Sequence, residues 1–323
     1  MHTAAQTLPW GVDKVQADKS STRAGNGRGA VSKAHAFVVD TGIGRHPDLN
    51  LANHVNFAGG PNSDCNGHGT HVAGTLAAKD DHSAVVGVAP GVPLTGVKVL
   101  DCEGSGWDSD VVAGIDYVTR RARSTSRPDV ANLSLGGYPS QAIDDAVRRS
   151  AASGVFWAVA AGNDGANACL ASPARAGGGM DNGIATVAAT NGQDGETYWS
   201  NYGSCVDTWA PGSDILSTAL GGGTAEISGT SMATPHVAGA AALYRSRHAL
   251  TPSAVERKLK ASAARPGTMD QGLAQDQIAK ALSDRLDPPR VSDARGSGRR
   301  AAGPRPTETC KRMSEDLLSP TRC

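Results

Sequence analysis

The chain has 323 residues, which is enough for one large domain or two ordinary ones with a sizeable core. Its formal net charge is zero, so neither a nucleic acid nor an anionic membrane surface is expected as a partner. The longest apolar run, near residues 155–161, is too short to span a bilayer. We therefore expect a globular protein that binds neither nucleic acid nor membrane.

Short apolar runs alternate with amphipathic patterns over most of the chain. The predicted strands are residues 34–40, 94–100, 130–135, 155–160, 184–189 and 206–210. The predicted helices are residues 70–78, 107–123, 141–152, 252–263 and one that starts at Ser231 or Met232. This alternation predicts an α/β fold with a mostly parallel central sheet and helices on both faces.

The pattern weakens beyond about residue 265. A further helix is expected between residues 271 and 284, and residues 285–323 are rich in Arg, Pro, Gly and Ser. We therefore predict a folded domain over residues 1–265 and a partly disordered C-terminal extension over residues 266–323.

Three polar side chains are predicted to share one edge of the sheet. Asp40 ends the first buried strand, and ligands of open α/β sheets bind at the carboxyl ends of strands. His71 lies in the first turn of the predicted helix over residues 70–78. Ser231 lies at the start of a small-residue helix, where Pro235 is tolerated only in the first turn because it lacks an N–H. Taken alone, Ser231 reads as an ordinary helix N-cap.

An aspartate, a histidine and a serine in this chain order are a known solution for nucleophilic catalysis. A serine hydroxyl needs a base within hydrogen-bond reach, and the base needs a carboxylate that fixes its tautomer. Backbone N–H groups at a helix start can stabilise the oxyanion that develops. A zinc site is disfavoured, because His68 and His71 do not form the HExxH pattern.

The motifs around these residues resemble those of the subtilisin-like serine proteases. Residues 40–43 (DTGI), 68–75 (HGTHVAGT) and 229–239 (GTSMATPHVAG) are similar to the three signature motifs of that family. Residues 131–137, 160–163 and 200–207 match its connecting segments. The resemblance is strongest to the proteinase K-like branch, and within it to aqualysin-like bacterial enzymes. It covers about residues 10–263 and implies the three-layer subtilisin-like fold for the catalytic domain.

The resemblance also implies the roles of individual residues. Asp40 is expected to orient His71, His71 to act as general base and then acid, and Ser231 to be the nucleophile. Asn163 matches the residue whose side-chain amide completes the oxyanion hole. The segment Ser134, Leu135 and Gly136 is expected to pair as an edge strand with the substrate backbone. The expected pocket for the side chain before the cut bond is lined by Ala160, Ala161 and Gly162. Such small, uncharged residues favour hydrophobic or aromatic side chains.

The six cysteines indicate an exported protein, although sequence alone leaves their pairing open. The resemblance implies the disulfides Cys65–Cys102 and Cys169–Cys205. Cys310 and Cys323 have no counterpart in the family. The resemblance also implies a structural calcium ion, held by Asp207 and by backbone carbonyls near Asn182 and Ile184.

The sequence therefore predicts a secreted, monomeric serine endopeptidase that cleaves proteins or peptides through an acyl-enzyme. Because no apolar signal core or propeptide precedes residue 10, we expect a mature form or a propeptide supplied separately. Two alternatives stay open. One is a catalytically silent subtilisin-like binding module, and the other is an esterase or peptide ligase that uses the same site.

Overall fold

The computed structural model describes residues 6–125, 127–263 and 312–314. The predicted extension over residues 266–323, with its helix and with Cys310 and Cys323, lies outside the described residues except for 312–314. No helix of the described part is both long and apolar enough to cross a membrane.

A seven-stranded sheet in the order β2-β3-β1-β5-β6-β7-β8 forms the centre of the molecule, and all its pairings are parallel. Its strands are β1 (His35–Asp40), β2 (Leu51–Asn56), β3 (Leu94–Lys98), β5 (Asp129–Leu133), β6 (Phe156–Ala160), β7 (Ile184–Thr190) and β8 (Thr208–Pro211). Two antiparallel pairs stand apart from it: β9 (Ile215–Thr218) with β10 (Thr224–Ile227), and β4 (Ser105–Trp107) with β11 (Arg312–Ser314).

Helices cover both faces of this sheet. They are α1 (Trp10–Lys14), α2 (His68–Ala77), α3 (Asp108–Arg123), α4 (Gln141–Ala152), α5 (Thr230–Arg245) and α6 (Pro252–Ser262). Successive side chains of a strand point to opposite faces, so Val38 packs in the core that contains α2 and α5, whereas Phe37 and Val39 pack in the core that contains α3 and α4. The predicted three-layer α/β fold is confirmed.

Two element boundaries differ from the sequence-based prediction in ways that matter for the site. Helix α2 begins at His68, two residues before the predicted start, and β5 ends at Leu133, two residues before the predicted end. The edge strand β2 and the β9–β10 hairpin were not predicted. Half of the LANHVN sequence of β2 is polar, and the structure leaves all six residues partly or fully exposed at the sheet edge.

Helix α5 starts at Thr230, so Pro235 lies in its second turn and the prediction of a first-turn proline is wrong. A proline there leaves the carbonyl four residues earlier, that of Ser231, without its helical donor. The Ser134 hydroxyl donates to that carbonyl at 2.8 Å. The proline is therefore tolerated because a side chain from the end of β5 replaces the missing amide.

Candidate active site

Asp40 and His68 form a buried pair at the carboxyl end of β1. Asp40 Oδ1 accepts hydrogen bonds from His68 Nδ1 at 2.7 Å and from the Thr41 backbone N–H at 2.7 Å. Both side chains are almost completely buried. Because the carboxylate is the acceptor, the imidazole carries its proton on Nδ1, and Nε2 of the neutral ring holds the basic lone pair. This is the tautomer that a general base needs.

His71 does not meet Asp40, and the predicted Asp40–His71 contact is wrong. His71 Nε2 donates to the carbonyls of Ile215 at 2.9 Å and Ala225 at 3.1 Å, so it ties α2 to the β9–β10 hairpin. Burial lowers the pKa of His71 to about 4, although its bonds to the two carbonyls partly oppose this effect. The ring is therefore a neutral structural donor one helical turn beyond the site.

A carboxylate in the preceding loop fixes the start of α2. Asp64 accepts from the backbone N–H groups of Asn66, Gly67 and Thr70, which satisfies amides that have no partner inside the helix. The Thr41 hydroxyl donates to the same carboxylate. Gly67 has φ of 112°, a conformation that favours glycine, immediately before His68. The loop after β1 and the start of α2 are thus joined through Asp64, which keeps Asp40 and His68 within hydrogen-bond distance.

Ser231 is the second residue of α5 and is fully buried in this structure. Its hydroxyl donates to the Ser134 carbonyl at 3.1 Å, while the Ser134 hydroxyl donates to the Ser231 carbonyl. This reciprocal pair links the chain that leaves β5 to the start of α5. The serine therefore lies where helix amides and the positive end of the helix dipole can meet an anion.

Asn163 presents an amide donor beside this helix start. Its Oδ1 accepts from both the backbone N–H and the hydroxyl of Thr230, each at 2.9 Å. These two donors fix which way the amide points. Nδ2 is buried and has no hydrogen-bond partner among the described residues. A buried donor without a partner is costly, and an oxyanion bound beside it would satisfy it.

Asn201 holds the loop that carries Asn163, a role that the sequence analysis did not assign to it. Its side-chain Nδ2 donates to the Ala161 carbonyl at 2.9 Å, and its backbone N–H donates to the Gly162 carbonyl at 2.8 Å. Ala160 is the last residue of β6, and Gly162 has a φ of 106°. The three predicted pocket residues therefore form one continuous, anchored turn at the end of β6.

Residues 134–136 follow β5 directly and belong to no strand of the structure. Ser134 and Leu135 are buried, and Gly136 is partly exposed. Gly137 makes an isolated antiparallel bridge to Ser172. Of these three residues, only Gly136 has its backbone partly exposed at the surface. Substrate binding by residues 134–136 stays a prediction.

The residues expected to hold calcium do not fit a metal ion. Both oxygens of Asp207 are occupied, Oδ1 by Lys260 Nζ at 3.1 Å and Oδ2 by the Thr186 backbone N–H at 2.9 Å. The Asn182 side chain bonds to nearby backbone groups, including the Ile184 N–H. A positively charged ammonium therefore lies where the calcium ion was expected.

Both predicted disulfides are confirmed. Cys65 is bonded to Cys102 and Cys169 to Cys205. The first bridge joins the loop before α2 to the loop after β3, close to Asp64 and His68. It therefore adds a covalent link to the hydrogen bonds that position the histidine.

A buried aspartate–histidine pair and a serine at a helix start, carried on a parallel α/β sheet, are the groups from which serine-hydrolase sites are built. The chain belongs to the subtilase family, whose model matches residues 37–298.

Named relatives agree with this assignment. The chain is 41% identical over 293 residues to an alkaline serine exoprotease A from Vibrio alginolyticus, covering 85% of this chain and 50% of the relative. It is 44% identical over 270 residues to an extracellular serine proteinase from Thermus sp. (strain Rt41A), covering 77% of this chain and 60% of the relative. The chain thus spans only half to three fifths of these relatives.

A solved structure, that of a cold-adapted subtilisin-like serine proteinase, superposes with a TM-score of 0.70 at 40% identity. The match covers 83% of this chain and 95% of that chain. The similarity therefore includes nearly the whole of the solved proteinase.

Proposed function

We propose that the protein is a secreted serine endopeptidase in which Ser231 is the nucleophile, His68 the general base and Asp40 the residue that orients it. The observation that carries the proposal is the buried 2.7 Å bond between Asp40 and His68 Nδ1, which directs the basic Nε2 away from the carboxylate. His68 replaces His71 in the relay that the sequence motif predicted.

The reaction begins when the Ser231 hydroxyl attacks the substrate carbonyl and passes its proton to His68 Nε2. Before this, the hydroxyl exchanges its present bond to the Ser134 carbonyl for one to Nε2. The oxyanion accepts from the Asn163 amide and the Ser231 backbone N–H. The C–N bond then breaks, and His68 gives its proton to the leaving amine. Water repeats the sequence on the acyl-enzyme and releases Ser231.

Substrate selection would come from the turn over residues 160–162 and from the backbone near Gly136. The side chains of that turn are no larger than methyl groups, so an uncharged pocket for a hydrophobic or aromatic residue is expected. An extended substrate would pair with residues 134–136 through backbone hydrogen bonds. The expected substrates are therefore proteins or peptides cleaved with broad preference.

Secretion is supported by the two disulfides, since such bridges persist mainly outside the reducing cytosol. The name of the Thermus relative also describes an extracellular protein. We further propose that the enzyme is monomeric and is assisted by a propeptide that acts as inhibitor and chaperone, as the family resemblance implies.

Labelling with phenylmethylsulfonyl fluoride, followed by peptide mapping, tests the nucleophile. We expect modification at Ser231 and loss of casein cleavage in proportion to labelling, with neither property in Ser231→Ala. Hydrolysis of a simple ester without cleavage of casein would instead indicate an esterase. Absence of labelling and of both activities in a folded protein would indicate a silent binding module. Casein digestion by Ser231→Ala would contradict the mechanism.

Replacing Asn163 by alanine is expected to lower kcat roughly 10²–10³-fold with little change in KM. Loss of one oxyanion donor has this magnitude in a subtilisin, a member of the same family. Steady-state kinetics on a hydrophobic peptide anilide would measure the effect.

Asn163→Asp is the matched control, because its carboxylate can still accept from the Thr230 N–H and hydroxyl while the Nδ2 donor is lost. We expect Asn163→Asp to lose kcat as well. If it kept the parental kcat, the amide would serve only to cap α5.

A further inference from the structure

A lysine ammonium is surrounded by three carboxylates where helix α6 meets the sheet. Lys260 Nζ lies 2.7 Å from Asp181 Oδ1, 3.0 Å from Glu256 Oε1 and 3.1 Å from Asp207 Oδ1. The side chains of Asp207 and Glu256 are completely buried, whereas that of Asp181 is 34% exposed. Glu256 and Lys260 lie one turn apart on α6, and the other two residues come from the loops before β7 and β8.

The second oxygen of each buried carboxylate is bonded to the backbone. Asp207 Oδ2 accepts from the Thr186 N–H at 2.9 Å, and Glu256 Oε2 accepts from the Gly183 N–H at 2.7 Å. Each buried carboxylate thus joins a backbone amide in or next to β7 to the ammonium. Burial alone lowers the pKa of Lys260, but its bonds to Asp181 and Glu256 raise the pKa above its usual value, so the ammonium stays charged.

We propose that Lys260 is a built-in cation that takes the place of the structural calcium ion expected at Asp207. Its ammonium connects α6, the loop before β7 and the loop before β8, which is the linking role that a bound metal would have. A calcium ion beside Asp207 would be repelled by the fixed charge only about 3 Å from Oδ1. This corner of the fold therefore derives its stability from a covalently attached charge and not from free calcium.

Thermal unfolding in excess EDTA and in millimolar calcium chloride tests the proposal. All variants are made in the full chain with Ser231→Ala, so that self-digestion cannot affect the measurement. We expect Lys260→Met to lower Tm by roughly 5 °C or more in EDTA, because it leaves two buried carboxylates without their counter-charge. Lys258→Met, an exposed position on the same helix, is the matched control and should leave Tm unchanged.

The calcium response of Asp207→Asn shows whether the lysine or a bound metal ion stabilises this part of the fold. We expect the shift in Tm between EDTA and calcium to be the same in Asp207→Asn as in its parent, even if calcium binds elsewhere on the chain. A larger shift in the parent, or an unchanged Tm for Lys260→Met, would overturn the proposal. If Asp207→Asn does not fold, the Tm of Lys260→Met measured in EDTA still tests the proposal.

Discussion

Replacing His68 by alanine is expected to lower kcat by about 10⁶-fold, the loss measured when the histidine of a subtilisin is removed. His68 is the residue whose Nδ1 donates to Asp40, so its removal takes away both the proton acceptor and the group that the carboxylate orients. Initial rates on a hydrophobic peptide anilide, together with the rate of sulfonyl fluoride labelling of Ser231, would measure the loss.

His71→Gln is the matched control, since both histidines lie on α2 one turn apart. A glutamine Nε2 can still donate to the carbonyls of Ile215 and Ala225, which are the partners of His71 in the structure. We expect this variant to keep kcat within several-fold per folded molecule. If His71→Gln lost activity as His68→Ala does, while its circular dichroism stayed native, the assignment of the base to His68 would be wrong.

The choice between these histidines shows which parts of the site could be predicted from the sequence. The motif placed an imidazole next to Asp40, and the α/β pattern placed both at the correct edge of the sheet. The error came from a helix start predicted two residues late, at Thr70, which put His71 in the first turn. The actual start depends on Asp64, whose carboxylate binds three backbone amides around His68. A cap supplied by a residue four positions before the helix is not visible in helix periodicity.

Pro235 and Lys260 illustrate a second limit of sequence-based prediction. Helix propensity favours proline only in the first turn. In α5 the Ser134 hydroxyl replaces the missing amide as donor to the Ser231 carbonyl, so Pro235 can lie in the second turn. Likewise, the motif suggested an oxygen site for calcium at Asp207, while the competing ammonium lies 53 residues further along the chain. In both cases the deciding contact comes from an element distant in sequence, whose position only the folded structure gives.

Acidification from pH 7 to pH 4.5 is expected to remove several kcal/mol of stability at two buried histidines, an effect opposed at Glu256, whose carboxyl pKa burial raises to about 7. His236 Nδ1 donates to the Met232 carbonyl at 2.9 Å, and its ring packs against Gly11, where an added Cβ would lie 2.4 Å from Nε2. Burial lowers the pKa of His236 to about 4, as it does for His71. Neither ring can therefore be protonated in the folded state near neutral pH.

The direction of the effect follows from these pKa values. Between pH 4 and about 6.5 the unfolded chain takes up a proton at each histidine and the folded chain does not, so stability falls as the pH is lowered. Each histidine accounts for about 3 kcal/mol of the free energy of unfolding. This stability is fully present above pH 6.5 and is lost by pH 4. The free energy of unfolding changes by at most about 1.4 kcal/mol per pH unit for each histidine.

Urea unfolding of the Ser231→Ala protein at several pH values would measure this slope. His236→Asn removes one titrating group and keeps a donor for the Met232 carbonyl, so the variant should lose stability at neutral pH yet show a shallower decline with acid. His248→Gln, at an exposed position near the end of α5, should leave the slope unchanged. Equal slopes for the parent and His236→Asn would mean that the folded protein accepts a proton at this ring, and that acid lability arises from other groups.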